Sequence, residues 1–175
     1  DKISLFCDVD KEAVISLVTS ETIYEVPLLL EEAGLGEFIV HRLGLRAEKS
    51  NLEDWRDMVA RLKASKEPVI IGLVGKYVGL RDAYYSVREA LCHAALAHNR
   101  DIKIEWVDSE QLDGMADEKL RQVQGIIVPG GFGYRGIEGM VKAAKFARER
   151  RIPYLGLCLG MQVMVIELGR EVFHS

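Results

Sequence analysis

The sequence is organised around one stretch near its end, Pro153-Tyr154-Leu155-Gly156-Leu157-Cys158-Leu159-Gly160-Met161-Gln162. This stretch places Gly-x-Cys-x-Gly between a predicted strand and a predicted helix, which is the arrangement of a nucleophile elbow. A nucleophile on such a sharp turn has a strained backbone, so the positions two before and two after it must be small. We therefore expect Cys158 at the carboxyl edge of a sheet, where the positive end of the following helix dipole favours a thiolate. The alternative is an ordinary buried cysteine.

A glycine-rich loop lies upstream, at Val128-Pro129-Gly130-Gly131-Phe132-Gly133-Tyr134-Arg135-Gly136. It also follows a predicted strand and precedes a predicted helix. Glycines allow the backbone to approach a ligand closely, and loops at the carboxyl edge of a doubly wound sheet line the usual binding crevice. One amide of this loop could therefore be an oxyanion donor beside the amide of Leu159. The alternative is a plain flexible turn.

Strands and helices alternate through the last two thirds of the chain. We predict strands at 69–74, which is a short apolar run, and at 102–107, 125–129 and 152–157. Helices are predicted at 82–97, 116–122, 136–150 and 159–168. Strands separated by helices at this spacing indicate right-handed βαβ crossovers. The predicted fold class is α/β, with a doubly wound, mainly parallel sheet that carries the nucleophile elbow.

The beginning of the chain has a different pattern. We predict strands at 3–7 and 13–18, then a helix through Leu30, a short helix at 37–43 and an amphipathic helix at 52–64. The stretch 46–53 is polar and without periodicity, which is typical of a linker. The predicted division is a first segment at 1–46, a linker with a helix at 47–67, and a second domain at 68–175.

Composition excludes several classes of protein. The chain has 175 residues, 23 Lys and Arg against 27 Asp and Glu, a net charge of -4 and 49% hydrophobic residues. That is enough apolar material for a core, and the mild acidity argues against nucleic-acid binding through a basic face. The longest apolar stretch falls short of the ~20 residues that a membrane span needs. We expect no nucleic-acid partner and no membrane partner.

The cysteines and histidines show no metal-binding spacing. Three widely separated cysteines fit neither a disulfide framework nor a zinc site, and they indicate a reducing, cytoplasmic location. We expect Cys7 and Cys92 in the core, and we consider His174 a poor candidate for a catalytic base. Gly75-Lys76-Tyr77 lacks the ending of a P-loop, so no phosphate-binding role is assigned to it. No metal site is expected in this chain. The cysteines and histidines without metal-binding spacing are Cys7, Cys92, Cys158, His41, His93, His98 and His174.

The two loops together resemble the class I glutamine amidotransferase domain of the CTP synthase family. Pro-Gly-Gly with Gly-x-Cys-x-Gly fits any class I amidotransferase, whereas the continuation 132–136 resembles the CTP synthases in particular. The stretch 71–77 resembles the start of that domain, and 2–7 and 23–30 resemble the end of the α/β synthetase domain that precedes it. The resemblance implies an enzyme that makes CTP from UTP, ATP and glutamine, with glutamine hydrolysed at one site and ammonia passed to another.

The resemblance also implies roles for single residues. Cys158 would be the nucleophile that forms a thioester, with the amides of Gly131 and Leu159 as oxyanion donors. The other implied ligand contacts are Gly131, Leu159, Gly160, Met161 and Gln162 for glutamine, Lys2 for UTP or CTP, Val18, Thr19 and Ser20 for ATP, and Phe132 for GTP as an allosteric activator.

Some implied parts are expected outside the chain. The family's magnesium ligands would precede residue 1, and its triad histidine and glutamate would follow Ser175, so we expect a fragment of a homotetrameric, cytoplasmic enzyme. Such a fragment would show negligible turnover by itself, since a nucleophile without its base retains little activity. Two alternatives stay open. One is another class I amidotransferase, of the GMP or anthranilate type, and the other is a module that binds glutamine or a partner without turnover.

Overall fold

The computed structural model describes residues 1–48, 50–112 and 116–173. The chain divides into two compact units, Asp1–Ala64 and Ser65–Ser175. Each unit is described by itself below.

All regular structure in the described residues of the first unit is helical. Its helices are α1 (Lys2–Cys7), α2 (Val26–Glu32), α3 (Leu35–Arg42) and α4 (Glu53–Lys63), with single 3-10 turns at Lys11–Ala13 and Ile23–Glu25. The predicted strand at 3–7 is therefore wrong, because these residues form α1. The predicted strand at 13–18 is also wrong, since 14–20 has no regular structure. A strand must find a partner for its backbone groups, whereas a helix satisfies them within its own segment.

Helix α4 is anchored to the segment before α2. The Trp55 indole N–H donates to the Tyr24 carbonyl at 2.8 Å, and the two rings lie 6.4 Å apart. The Lys63 ammonium binds the Glu25 carboxylate at 2.7 Å, and this hydrogen bond lowers the pKa of Glu25. The helix of the predicted linker thus packs within the first unit, and the functional boundaries at 46 and 68 stay predictions.

The second unit is built on a sheet of four parallel strands in the order β2-β1-β3-β4. The strands are β1 (Pro68–Gly75), β2 (Asp101–Asp108), β3 (Gly125–Val128) and β4 (Tyr154–Gly156), and the helices are α5 (Tyr85–Ala97), α6 (Ala116–Lys119), α7 (Ile137–Arg150) and α8 (Leu159–Phe173). Short 3-10 turns occupy Arg81–Tyr84 and Ser109–Gln111. The α/β class and the parallel sheet are confirmed.

Successive residues of the strands enter two different cores. Val74, Val107 and Val128 pack with α7 and α8, while Leu73 and Ile127 pack with Tyr84 on the other face. Burial on both faces explains why the two inner strands, β1 and β3, are nearly continuous apolar runs, whereas the edge strand β2 alternates apolar residues with the exposed Lys103 and Glu105.

The sheet order also fixes where a ligand site belongs. The chain leaves β1 for β2 on one side and then crosses to β3 on the other side of β1. In open α/β sheets, the crevice at the carboxyl ends of the strands where the order reverses is the usual binding site. Here that crevice lies between the segments that follow β1 and β3, namely 76–77 and 129–131.

Leu73 should support the sheet far more than an exposed leucine does. It lies in the central strand with no exposed surface, whereas Leu80 is 66% exposed. We expect Leu73→Ala to lower the free energy of unfolding by about 2–5 kcal/mol and Leu80→Ala by less than about 0.5 kcal/mol. Denaturant unfolding followed by circular dichroism measures both. Equal losses would show that β1 is not the core strand described here.

Candidate functional site

Cys158 occupies a strained turn between β4 and α8. Its φ is 52°, in the left-handed region that residues other than glycine rarely adopt. The Leu157 N–H before it donates to the Val128 carbonyl at 2.9 Å, and the Cys158 carbonyl accepts from the N–H groups of Met161 and Gln162 at 3.1 and 3.2 Å. Residues held in this way cluster at active sites. The turn therefore has the strained geometry that the Gly-x-Cys-x-Gly spacing predicts.

The two glycines of the elbow are required by close packing. A Cβ added at Gly160 would overlap the carbonyl oxygen of Val128, and one added at Gly156 would overlap the backbone of Gly160. Without side chains at these positions, the first turn of α8 lies directly against the ends of β3 and β4. The elbow is thereby held at a fixed place on the sheet.

The glycine-rich loop after β3 lies beside the elbow. A Cβ on Gly130 would lie 3.6 Å from the Cβ of Cys158, and one on Gly131 would lie 3.5 Å from Leu159 Cδ2. The Cys158 side chain itself is exposed. The Leu159 N–H belongs to the first turn of α8, where a helix supplies no acceptor of its own. An exposed thiol, an amide of the first turn of a helix and a glycine-rich loop thus come together at the carboxyl edge of the sheet.

The other residues predicted to bind glutamine differ in exposure. Met161 is 51% exposed and Gln162 is also exposed, both in the first turn of α8. Gly160 is buried against Val128, so any contact it makes with a ligand would come from its backbone. Phe132, the candidate for GTP, is 89% exposed on the glycine loop.

The residues predicted to bind nucleotides belong to the first unit. Lys2 is exposed at the start of α1, and Val18 and Thr19 are exposed in the stretch without regular structure. The Ser20 hydroxyl donates to the Thr22 carbonyl at 3.0 Å. The roles of these residues stay predictions.

The other two cysteines do not lie in the core. Cys7 is exposed, so its predicted burial is wrong, because α1 takes the place of the expected strand. Cys92 is half-buried rather than fully buried, and desolvation raises the pKa of its thiol. A general thiol reagent should therefore reach Cys7 as well as Cys158.

The described histidines of the second unit lie away from Cys158. Helix α5 begins beside the carboxyl ends of the strands and runs back toward the start of β2 at Asp101. His93 is in its second half and His98 follows its end, toward the opposite edge of the sheet. His174 lies outside the described residues. Within the described part of this unit, the structure brings no histidine to the elbow.

Lys76, which lies directly after β1, is a residue of this site that the sequence patterns did not reveal. Its side chain is 4% exposed, and its ammonium donates to the carbonyl of Phe132 at 3.1 Å and to that of Gly133. Its backbone N–H and that of Tyr77 both donate to the Tyr84 hydroxyl at 3.1 Å. Burial raises the pKa of Tyr84, so this hydroxyl stays protonated at neutral pH. The available signal was the position of Gly-Lys-Tyr at the end of a strand, but its meaning depends on β1 being the neighbour of β3.

Arg135 connects the same two segments from outside. Its guanidinium donates to the Lys76 carbonyl at 3.3 Å, forms an ion pair with Glu110 and lies 5.9 Å from the centre of the Tyr77 ring. The glycine loop is therefore tied to the end of β1 by both a buried lysine and a half-exposed arginine.

The described residues offer neither a metal cluster nor a membrane-spanning helix. Over 1–48, 50–112 and 116–173, no group of three or more His, Cys, Asp or Glu side chains could hold a metal ion. In the same ranges, no helix is long and apolar enough to cross a membrane.

Two family models match the chain. The model for class I glutamine amidotransferases matches residues 79–175, and the model for the CTP synthase N-terminus matches residues 1–45. Curated CTP synthases from Dehalococcoides mccartyi and Roseiflexus castenholzii are each 60% identical over 176 residues that cover 100% of the chain. The chain spans about a third of the length of these relatives, 32% in each case.

One solved structure supports the fold of the second unit. The glutaminase domain of Trypanosoma brucei CTPS with bound acivicin aligns with a TM-score of 0.56 and 46% identity. The alignment covers 59% of this chain and 41% of that one.

The elbow predicts opposite effects for two glycines of α8. Gly160→Ala should destabilise the protein, because its methyl group would overlap Val128, and we expect a loss of at least about 2 kcal/mol in the free energy of unfolding. At Gly169 nothing lies within 4 Å of an added Cβ. Gly169→Ala should instead stabilise the helix by up to about 1 kcal/mol. Thermal unfolding of the two variants compares them, and tolerance of both would contradict the close packing described here.

Proposed function

Because the chain belongs to the class I glutamine amidotransferase family, and within it to the CTP synthases, we propose that Cys158 is the nucleophile that releases ammonia from glutamine. The observation that supports this role is the left-handed backbone of Cys158, between two glycines and beside Gly130. Strain of this kind persists only where the surrounding structure enforces it, and it exposes the thiol at the ligand-binding edge of the sheet.

The proposed reaction begins with attack of the Cys158 thiolate on the carboxamide carbon of glutamine. A sulfur–carbon bond forms, and the carbonyl electron pair moves onto oxygen. The amides of Leu159 and Gly131 would donate to this oxyanion. Protonation of the amide nitrogen lets the carbon–nitrogen bond break, which releases ammonia and leaves a thioester. Water then hydrolyses the thioester to glutamate and restores the thiol.

Proton transfer requires an acid and base, and the described part of the second unit brings no histidine to Cys158 for this role. The leaving nitrogen must be protonated and the hydrolytic water deprotonated, tasks that a histidine usually performs. We therefore expect this chain by itself to react covalently with a glutamine analogue but to release ammonia slowly.

The glutamine site is proposed to extend from the glycine loop to the first turn of α8. Gly131 and Leu159 would face the carboxamide, and Gly160, Met161 and Gln162 would line the rest of the pocket. The bound acivicin in the Trypanosoma brucei structure supports a small amino-acid-like ligand in a domain of this fold.

The activity of the whole protein is part of the proposal. It would make CTP from UTP and ATP as a cytoplasmic homotetramer, with Lys2 contacting UTP or CTP and 18–20 contacting ATP. GTP would act as an activator near Phe132. Magnesium would serve the ATP-dependent step; among the described residues, no group of three or more His, Cys, Asp or Glu side chains could hold it. A GMP-type or anthranilate-type enzyme is disfavoured, because residues 1–45 match the CTP synthase N-terminus.

A glutamine-like chloroketone should label Cys158 selectively. The reagent carries the glutamine backbone, and its ketone mimics the carboxamide, so the thiol displaces chloride while the ketone oxygen meets the oxyanion amides. Intact-mass and peptide-mapping spectrometry should show one adduct, on Cys158, and glutamine should slow its formation.

The matched control is Cys7→Ala, because Cys7 is also exposed. This variant should keep the full adduct, and Cys158→Ala should lose it. Labelling of Cys7 in preference to Cys158, or labelling that glutamine does not slow, would overturn the proposed nucleophile.

A further inference from the structure

The buried ammonium of Lys76 needs an explanation beyond packing. Burial of an ammonium is costly unless hydrogen bonds compensate it. Among the described residues, the partners of the Lys76 Nζ are the carbonyl oxygens of Phe132 and Gly133, with no carboxylate. An apolar side chain of similar length would fill the same space without the desolvation cost. The charge of Lys76 is therefore best explained by its hydrogen bonds to the glycine loop, which restrict the loop's backbone.

We propose that Lys76 is a positioning residue that holds the glycine loop so that the Gly131 amide serves as an oxyanion donor. This inference rests on the proposed function of Cys158. The peptide group is planar, so holding the Phe132 and Gly133 oxygens fixes the planes of the Phe132–Gly133 and Gly133–Tyr134 peptides, which lie one and two peptides beyond Gly131 in the loop. The stem of the lysine restricts Gly131 itself, since a Cβ there would lie 3.4 Å from Lys76 Cδ.

The loop needs such a clamp because of its own composition. Gly131 and Gly133 flank Phe132, and Gly133 has a φ of 74°. Glycines reach many backbone conformations at low cost, so an unrestrained loop would present its amides in several orientations. Oxyanion stabilisation depends on donors that are already oriented before the reaction starts. The lysine would supply that orientation from the neighbouring strand.

Lys76 is itself held on both sides of its backbone. The buried Tyr84 hydroxyl accepts from its N–H, and Arg135 donates to its carbonyl. The side chain therefore extends from a fixed point at the end of β1 across to the loop after β3. Through Lys76, β1 would orient the glycine loop without contacting the substrate.

The test compares two reagents for the same thiol. The chloroketone needs the oxyanion amides, whereas iodoacetamide alkylates a thiol directly and does not. In Lys76→Met, which keeps the stem and removes the ammonium, we expect the chloroketone rate at Cys158 to fall about 10- to 100-fold. The iodoacetamide rate at Cys158 should stay within about twofold, because the elbow itself is unchanged.

Three further variants complete the comparison. Lys76→Arg keeps a cationic donor and should recover most of the chloroketone rate. Lys145→Met removes an exposed lysine of α7 and should change neither rate. Lys76→Gln removes the charge with a shorter, polar side chain and should behave like Lys76→Met, which keeps the test available if one neutral variant does not fold.

The outcomes separate the two claims. No chloroketone adduct on the unsubstituted protein, with normal iodoacetamide alkylation, would overturn the proposed function and the inference that rests on it. An adduct on the unsubstituted protein that forms equally fast in Lys76→Met and Lys76→Gln would overturn the role of Lys76 alone. A parallel fall of both rates together with the melting temperature would show a merely structural role, and would also overturn the inference.

Discussion

The close approach of Gly160 to the carbonyl of Val128 is the constraint on which the site depends. No side chain fits between the first turn of α8 and the end of β3. The same carbonyl accepts from the Leu157 N–H, so one oxygen at the end of β3 fixes the residues on both sides of Cys158. From the other side, the Tyr154 hydroxyl donates to the Gly160 carbonyl at 2.9 Å. Because the residues on both sides of Cys158 are fixed, its backbone is held in the left-handed conformation.

Three adjacent strands each deliver one part of the site. Lys76 follows β1, Gly130 and Gly131 follow β3, and Cys158 follows β4, in the spatial order of the sheet. Parallel strands place all three at one edge, and the spacing between neighbouring strands is about 5 Å. A lysine side chain is long enough to reach the adjacent loop. Parallel topology, rather than proximity in sequence, therefore assembles residues separated by more than 80 positions.

The sequence predicted the four strands of the second unit, but it gave no information on their order in the sheet. The apolar run at 69–74 is a strong signal because both faces of β1 are covered, and the alternation at 102–107 is one because one face of the edge strand β2 is exposed. The run at 3–7 is equally apolar but forms α1, since an isolated run does not reveal whether a partner strand exists. That error also produced the wrong burial of Cys7. Lys76 was missed for a related reason: a lysine after a strand has no special meaning until its neighbour in the sheet is known.

Two buried charges in the second unit have different surroundings: one joins two packed helices, and the other contacts the glycine loop. Glu167 is 5% exposed and accepts from Arg148 through both Nε and Nη2, so its charge is neutralised where α7 meets α8. Such a pair can be explained by helix packing alone. Lys76 is equally buried, yet its described contacts are neutral carbonyls, and its position is beside the loop that faces Cys158. A charge left without a counter-charge carries a cost in folding stability, and such costs are usually retained where the chemistry depends on them. The burial of Lys76 thus indicates that the fold gives up stability at the point where the glycine loop must be held still.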